Sequence, residues 1–397
     1  MKKIILKSTF MLLALSLLTF TSCSDDDENT TGNSVTYDLS ERSNSGVSGT
    51  VEFVELTDGQ VQIELDLSGT LNGNTHPAHV HMNSAAFGGG ILISLDPVDG
   101  STGSSVTIVS TKDDGSSFDF SMVENLDAYV NVHKSASELD VVVAQGDIGS
   151  NLLTGEETTY NLNTVDIAGI DGTITFKERK NNFTLAVIEL NGTPDGGMHP
   201  AHIHMNSAAE TGGIWYSFNP VDGSSGVSNS DIRATDGGMA LTYNDVITVD
   251  GYVNVHLSAT ELGTIVAQGD IGVNELTGES ITYTLDEKDV AGISGEIKFE
   301  ERKNGSILAT IQLVGTPNGG MHPAHIHEND AATGGPIAVT FNPVVGDTGI
   351  SKTTIRNLDD GSSFNYTSIS SFNGYVNVHL SATELGTIVA QGNIGIN

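Results

Sequence analysis

The sequence predicts an all-β protein made of three tandem antiparallel Greek-key β-sandwich domains. Three observations carry this. First, the chain of 397 residues repeats itself with a step of 123: Thr31–Gly32, Thr154–Gly155 and Thr277–Gly278 open equivalent units, with no net insertion between them. A unit of that length is domain-sized, unlike the 20–50-residue repeats of solenoids. Second, apolar residues alternate with period two, and Thr, Val, Ile and Ser dominate these stretches. Third, the 46 glycines fall mostly between the alternating stretches, where they mark turns, and no convincing helix start is found.

The elements follow in order within each unit. In the second, Gly172 to Lys177 and Thr184 to Leu190 read as strands, and Arg179 to Asn182 reads as the hairpin turn between them. Further turns are marked by Asp195–Gly196–Gly197, Asp222–Gly223 and Asp236–Gly237–Gly238. Residues 258–262 have a Ser-x-x-Glu spacing that suggests one short helical turn. Residues 251–269 and 374–392 are identical, whereas the first unit has diverged: Leu95–Asp96–Pro97 stands where the others have Phe218–Asn219–Pro220 and Phe341–Asn342–Pro343. The expected organisation is a leader at 1–22, a tether at 23–33, and repeats at 34–153, 154–276 and 277–397.

The amino terminus reads as processed sequence. Lys2, Lys3 and Lys7 precede a short apolar run at residues 11–20, the pattern of a signal peptide and too short to span a bilayer. It ends at Cys23, the one cysteine, so no intrachain disulfide can form. Cys23 with its preceding small residues resembles a bacterial lipobox. The acidic run from Asp25 to Glu28 resembles the surface-export signal of Bacteroidetes lipoproteins. The expected location is therefore the outer membrane, lipid-anchored through Cys23 and exposed at the cell surface. A formal charge of −34 disfavours nucleic acid as a partner and draws cations toward the surface. The sequence names no protein partner.

All twelve histidines belong to one pattern, written three times: His76, His79, His81 and His133; His199, His202, His204 and His256; His322, His325, His327 and His379. The last two histidines of each set are 52 residues apart in every copy. On a strand, His202 and His204 share one face and Ile203 takes the other. Tyr252, Asn254 and His256 share a face in the same way. A later strand of a Greek key can lie beside an earlier one, which would bring His256 to the pair. Three imidazoles suit copper, one ion per unit, with zinc the less favoured metal. The expected ligands are His79, His81 and His133; His202, His204 and His256; and His325, His327 and His379. His76, His199 and His322 each precede a proline and need not share the face of their pair, so they read as supports that fix the strand by hydrogen bonding. The competing reading is an internal hydrogen-bond cluster without metal. The diverged first unit keeps all four histidines, which favours the metal. Such a site should lose copper below about pH 6, because the ligands must be neutral imidazoles.

The H-x-x-H-I-H stretch, the Gly-Gly loop after it, and Y-V-N-V-H followed by Gln268–Gly269–Asp270–Ile271 resemble the CHRD (chordin-type) domain. The resemblance covers all three units and implies little about chemistry. A second resemblance is to copper,zinc superoxide dismutase, whose fold is of the same sandwich class. That family carries H-G-F-H-V-H, matched by His322–Pro323–Ala324–His325–Ile326–His327, and a later V-V-H stretch similar to the region around Val378–His379. It implies copper on His325, His327 and His379, and on their counterparts in the other units. The departures are substantial. Thr340, Ser217 and Ser94 stand where the family has its metal-bridging histidine, no histidine remains for a zinc site, and Ile388, Ile265 and Val142 occupy the place of the arginine that guides superoxide. The sequence therefore points first to a non-enzymatic copper-binding module. The alternatives are a degenerate or copper-only dismutase-like enzyme, and a structural or adhesive repeat protein without metal.

Overall fold

The structure, a computed structural model, describes residues 29–397. The leader at 1–22, Cys23 and the acidic run after it lie outside the described residues. By proximity of Cα atoms the chain forms two compact units, one of residues up to 79 with 92–123 and 132–144, the other of 80–91, 124–131 and 145–397.

The fold is all-β, with antiparallel sheets. In repeat one, β1 (Thr30–Glu41), β2 (Ser48–Leu56), β3 (Val61–Ser68), β4 (Thr75–Met82), β5 (Ile91–Asp99), β6 (Ser104–Val109), β7 (Asp127–Ser135) and β8 (Glu138–Gly149) close a barrel in the order β1-β2-β3-β6-β5-β4-β7-β8. The first strand takes in Thr30 to Asn33, residues the sequence reading placed in the tether.

Repeat two contributes β9 (Leu153–Thr164), β10 (Asp171–Arg179), β11 (Thr184–Asn191), β12 (Met198–His199), β13 (Ala201–Met205), β14 (Ile214–Ser217), β15 (Val221–Asp222), β16 (Val227–Ile232), β17 (Asp250–His256) and β18 (Ile265–Gly272). They form a curled ten-stranded sheet, β12-β15-β16-β11-β10-β9-β18-β17-β13-β14. Repeat three, from Leu276–Glu287 to Ile388–Gly395, has the same order. Pro200 has no N–H to donate, and pairing breaks there between β12 and β13.

Alternation explains the strands. Along β10, Ile174 and Phe176 are buried, and along β11 Ala186 and Ile188 meet them across the sheet. Removing a side chain such as Phe176 would cost about 3–5 kcal/mol. Among the described residues, besides a 3-10 turn at Phe120–Asn125, two short α-helices form where the sequence offered no helix start. Tyr243–Ile247 is started by a capping box between Thr242 and Asp245, and Tyr366–Ile369 by one between Asn365 and Ser368. Each holds too few turns to show an apolar periodicity, so only the cap signals it. Residues 258–262 form turns rather than a helix.

Two buried arginines stand at the joins between successive repeats, within the second compact unit. Arg179, 1% exposed, donates through Nε to Asp231 (2.9 Å) and through Nη1 to Asp147 (2.7 Å) and to the Asn151 carbonyl. Asp231 also accepts from Arg233 and Ser84. Arg302, at the equivalent place one repeat later, donates through Nη1 to Asp270 (2.7 Å) and the Asn274 carbonyl (2.7 Å).

Candidate metal centre

The three histidines of repeat two converge because of strand register. β13 pairs antiparallel with β17, setting His202 opposite Asn254 and His204 opposite Tyr252. The His256 amide donates to the Pro200 carbonyl (2.8 Å), which places its ring diagonally beside His202. Ile203, Val253 and Val255 fill the core on the opposite face. A bulge at Val255/His256 in the pairing with β18 and another at Ile203/His204 in the pairing with β14 turn His256 and His204 away from the regular pleat.

Ring centroids lie 5.1 Å apart for His202 and His256, 5.8 Å for His202 and His204, and 6.4 Å for His204 and His256. Repeat three reproduces this at 5.2, 5.8 and 6.4 Å among His325, His327 and His379. In repeat one the His79 and His133 rings are 5.1 Å apart. In each of the three triads, one nitrogen per ring lies within 4.8 Å of the others. A metal bonded at ~2.0 Å to three nitrogens sets them about 3.4 Å apart, so a small closing of the rings completes the site.

Carbonyl oxygens decide which nitrogens face inward. A carbonyl only accepts, so the His204 Nδ1 at 2.9 Å from the Gly212 oxygen carries the proton, as does the His256 Nδ1 at 2.7 Å from the Leu262 oxygen. The Nε2 lone pairs of both rings therefore point into the site. Opposite them stands His202 Nδ1, 3.1 Å from His256 Nε2. A shared proton joins these two atoms in the metal-free protein. A metal would be held by His202 through Nδ1, with that ring's proton on Nε2, and by His204 and His256 through Nε2. In repeat three, Gly335 and Leu385 supply the same two carbonyls at 3.0 and 2.7 Å, and His325 Nδ1 and His327 Nε2 are buried without a hydrogen-bond partner. Converging, buried nitrogen lone pairs fit a cation.

Electrostatics agree. Burial, then the neighbouring imidazoles, push His202 and His325 below the ordinary histidine value. Burial does the same for His256 and His379, opposed by the bond to the Leu262 or Leu385 carbonyl. These four rings are shifted toward the neutral form that metal ligation requires.

The supporting shell is partly new. His199 lies outside the triad; its Nδ1 donates to the His256 carbonyl (3.2 Å), and His76 and His322 contact the His133 and His379 carbonyls at 3.1 and 3.3 Å. Sequence reasoning missed three other contributors. Tyr252 stacks on His204 with centroids 5.1 Å apart, and Tyr129 and Tyr375 do the same to His81 and His327 at 5.0 Å each. Gly212 explains the glycine loop: a Cβ there would sit 2.0 Å from the Met205 oxygen, so only glycine lets the loop press its carbonyl onto His204. Asp236 accepts from the Ser217 amide (3.0 Å) and hydroxyl (2.6 Å). Ser217, where a bridging histidine would stand, pairs with His202 across the sheet. Ile265, in the place of the guiding arginine, pairs with His256.

No family model matches the chain, and no solved structure matches it. A curated protein, cell surface superoxide dismutase (Cu-Zn) 4 of Candida albicans (strain SC5314 / ATCC MYA-2876), is 42% identical over 64 residues, covering 14% of this chain and 26% of that protein. The chain thus spans about a quarter of the length of this relative. The match supports the likeness to copper,zinc superoxide dismutase over a segment, while the chordin-type resemblance rests on its motifs.

Proposed function

We propose that this protein is a lipid-anchored surface protein of the outer membrane whose three repeats each bind one copper ion, acting as a binding module rather than an enzyme. The observation that carries it is the trio of inward nitrogens, two of them oriented by backbone carbonyls, on three imidazoles brought together by register. Three nitrogen donors without thiolate or carboxylate favour copper over harder metals. The segment shared with a copper-zinc dismutase supports the same choice. The basic and apolar leader ending at Cys23 supports the anchor. Loading the purified chain with copper, dialysing it and counting bound metal tests the reading: three ions per chain are expected, and retention well below one per repeat removes it.

A second reading, a copper-only dismutase-like enzyme, is favoured by the segment match. Against it stand Ile265 and Ile388 in place of the guiding arginine, and a net charge of −34, which repels superoxide. Superoxide removal by the loaded chain no faster than by free copper ends this reading.

A further inference from the structure

The two joins between repeats differ at several positions: Phe87 and Phe183, which pack on Arg233, are matched one repeat later by Glu210 and Ser306, and one further difference bears on the buried arginine. Asp231, which takes the Arg179 Nε, is replaced one repeat later by Thr354, whose hydroxyl pairs with Ser207 (2.6 Å). Glu210 supplies a carboxylate nearby, but it is engaged by Arg356 and Ser207. Arg302 is 1% exposed, and its Nε and Nη2 are buried without a hydrogen-bond partner. Arg302 lines a cleft of about 750 Å³ together with Lys352, Asn342, Gln268, Asp270 and Glu300. Asp270 is paired with Arg302, and Glu300 with Lys298; Lys352 makes no ion pair among the described residues. Two cationic groups with donors to spare thus border one cleft, in a protein otherwise strongly acidic.

We propose that the join between repeats two and three binds a small singly charged anion, of halide or carboxylate size, on the Arg302 guanidinium at Nε, doing there what the Asp231 side chain does for the Arg179 Nε at the join before it. The anion bonds to the buried guanidinium and is drawn in by Lys352. An in-chain carboxylate at 354 would make it redundant.

The test is thermal unfolding of the purified full chain, free of metal, at constant ionic strength. Sodium chloride, sodium acetate or sodium glucuronate is titrated against a salt whose anion is too bulky for the site. Expected are a saturable rise in Tm for the wild type, a higher starting Tm with no anion response for Thr354→Asp, and several-fold weaker apparent affinity for Lys352→Asn. A response to chloride and acetate but not glucuronate assigns a small free ion; a tighter response to glucuronate assigns the carboxylate of an organic acid reaching in from the cleft. A wild type without a saturable response overturns the proposal, as does a Thr354→Asp chain that keeps the wild-type response. Copper loading plays no part, so this result is independent of the metal reading.

Discussion

The histidine pocket of repeat two and the arginine join beside it bury ionisable groups in opposite ways. At the join, Arg179 meets Asp147 and Asp231, so each buried charge has its counter-charge in the chain. In the pocket, His202, His204 and His256 are alike: their ring nitrogens converge with no opposite charge set among them, and the bond between His202 Nδ1 and His256 Nε2 joins two of the three rings. Paired opposites mark a structural cluster; converging acceptors mark a place for a cation. The Arg302 join falls between them, a charge only half paired.

Breaking the join should give the largest effect. Asp231→Ala leaves Arg179 and Arg233 short of a carboxylate, and should lower stability by about 3–5 kcal/mol in denaturant unfolding, with the copper count unchanged. Removing a ligand should do the reverse. His256→Ala should lower bound copper from three ions to two and weaken that site by more than about hundredfold, with little loss of fold. A comparable loss of copper in both variants would erase the distinction. A milder probe is His199→Phe, which keeps the bulk but loses the bond to the His256 carbonyl; affinity at that site should fall about 10- to 100-fold, read by competition with a copper chelator.

The smallest effect is that of pH on the metal-free chain. His202, His256, His325 and His379 all have folded values below their unfolded one of about 6.5. At falling pH the unfolded chain takes up protons first. The stability these groups contribute is therefore present above about pH 6.5 and lost as pH falls toward the folded values. Unfolding free energy should decline across that window and do so less in His202→Gln and His325→Gln. The same burial moves the loss of copper to lower pH than the value near 6 expected of free imidazole.

Individual strands and the hairpin between them were legible where alternation was strict, as in β10 and β11, and so was the facing of Ile203, Val253 and Val255; the order of strands in the sheet was not. That the histidines of each set belong together was legible because histidine occurs nowhere else. The helix at Tyr243–Ile247 was not, since a single capped turn leaves no periodicity to read. Neither were the Tyr252 stack, the Gly212 and Leu262 carbonyls or the Arg179 join, because each depends on a partner far along the chain or on a backbone atom that every residue possesses.

By itself the sequence determined the repeat, the all-β class and which histidines come together, since composition and spacing record side-chain identity and local alternation. Only the tertiary structure decided which ring nitrogens face inward and which buried arginine lacks a second carboxylate. Tautomer and pairing are set by groups within about 3 Å in space, and distance along the chain does not encode that proximity.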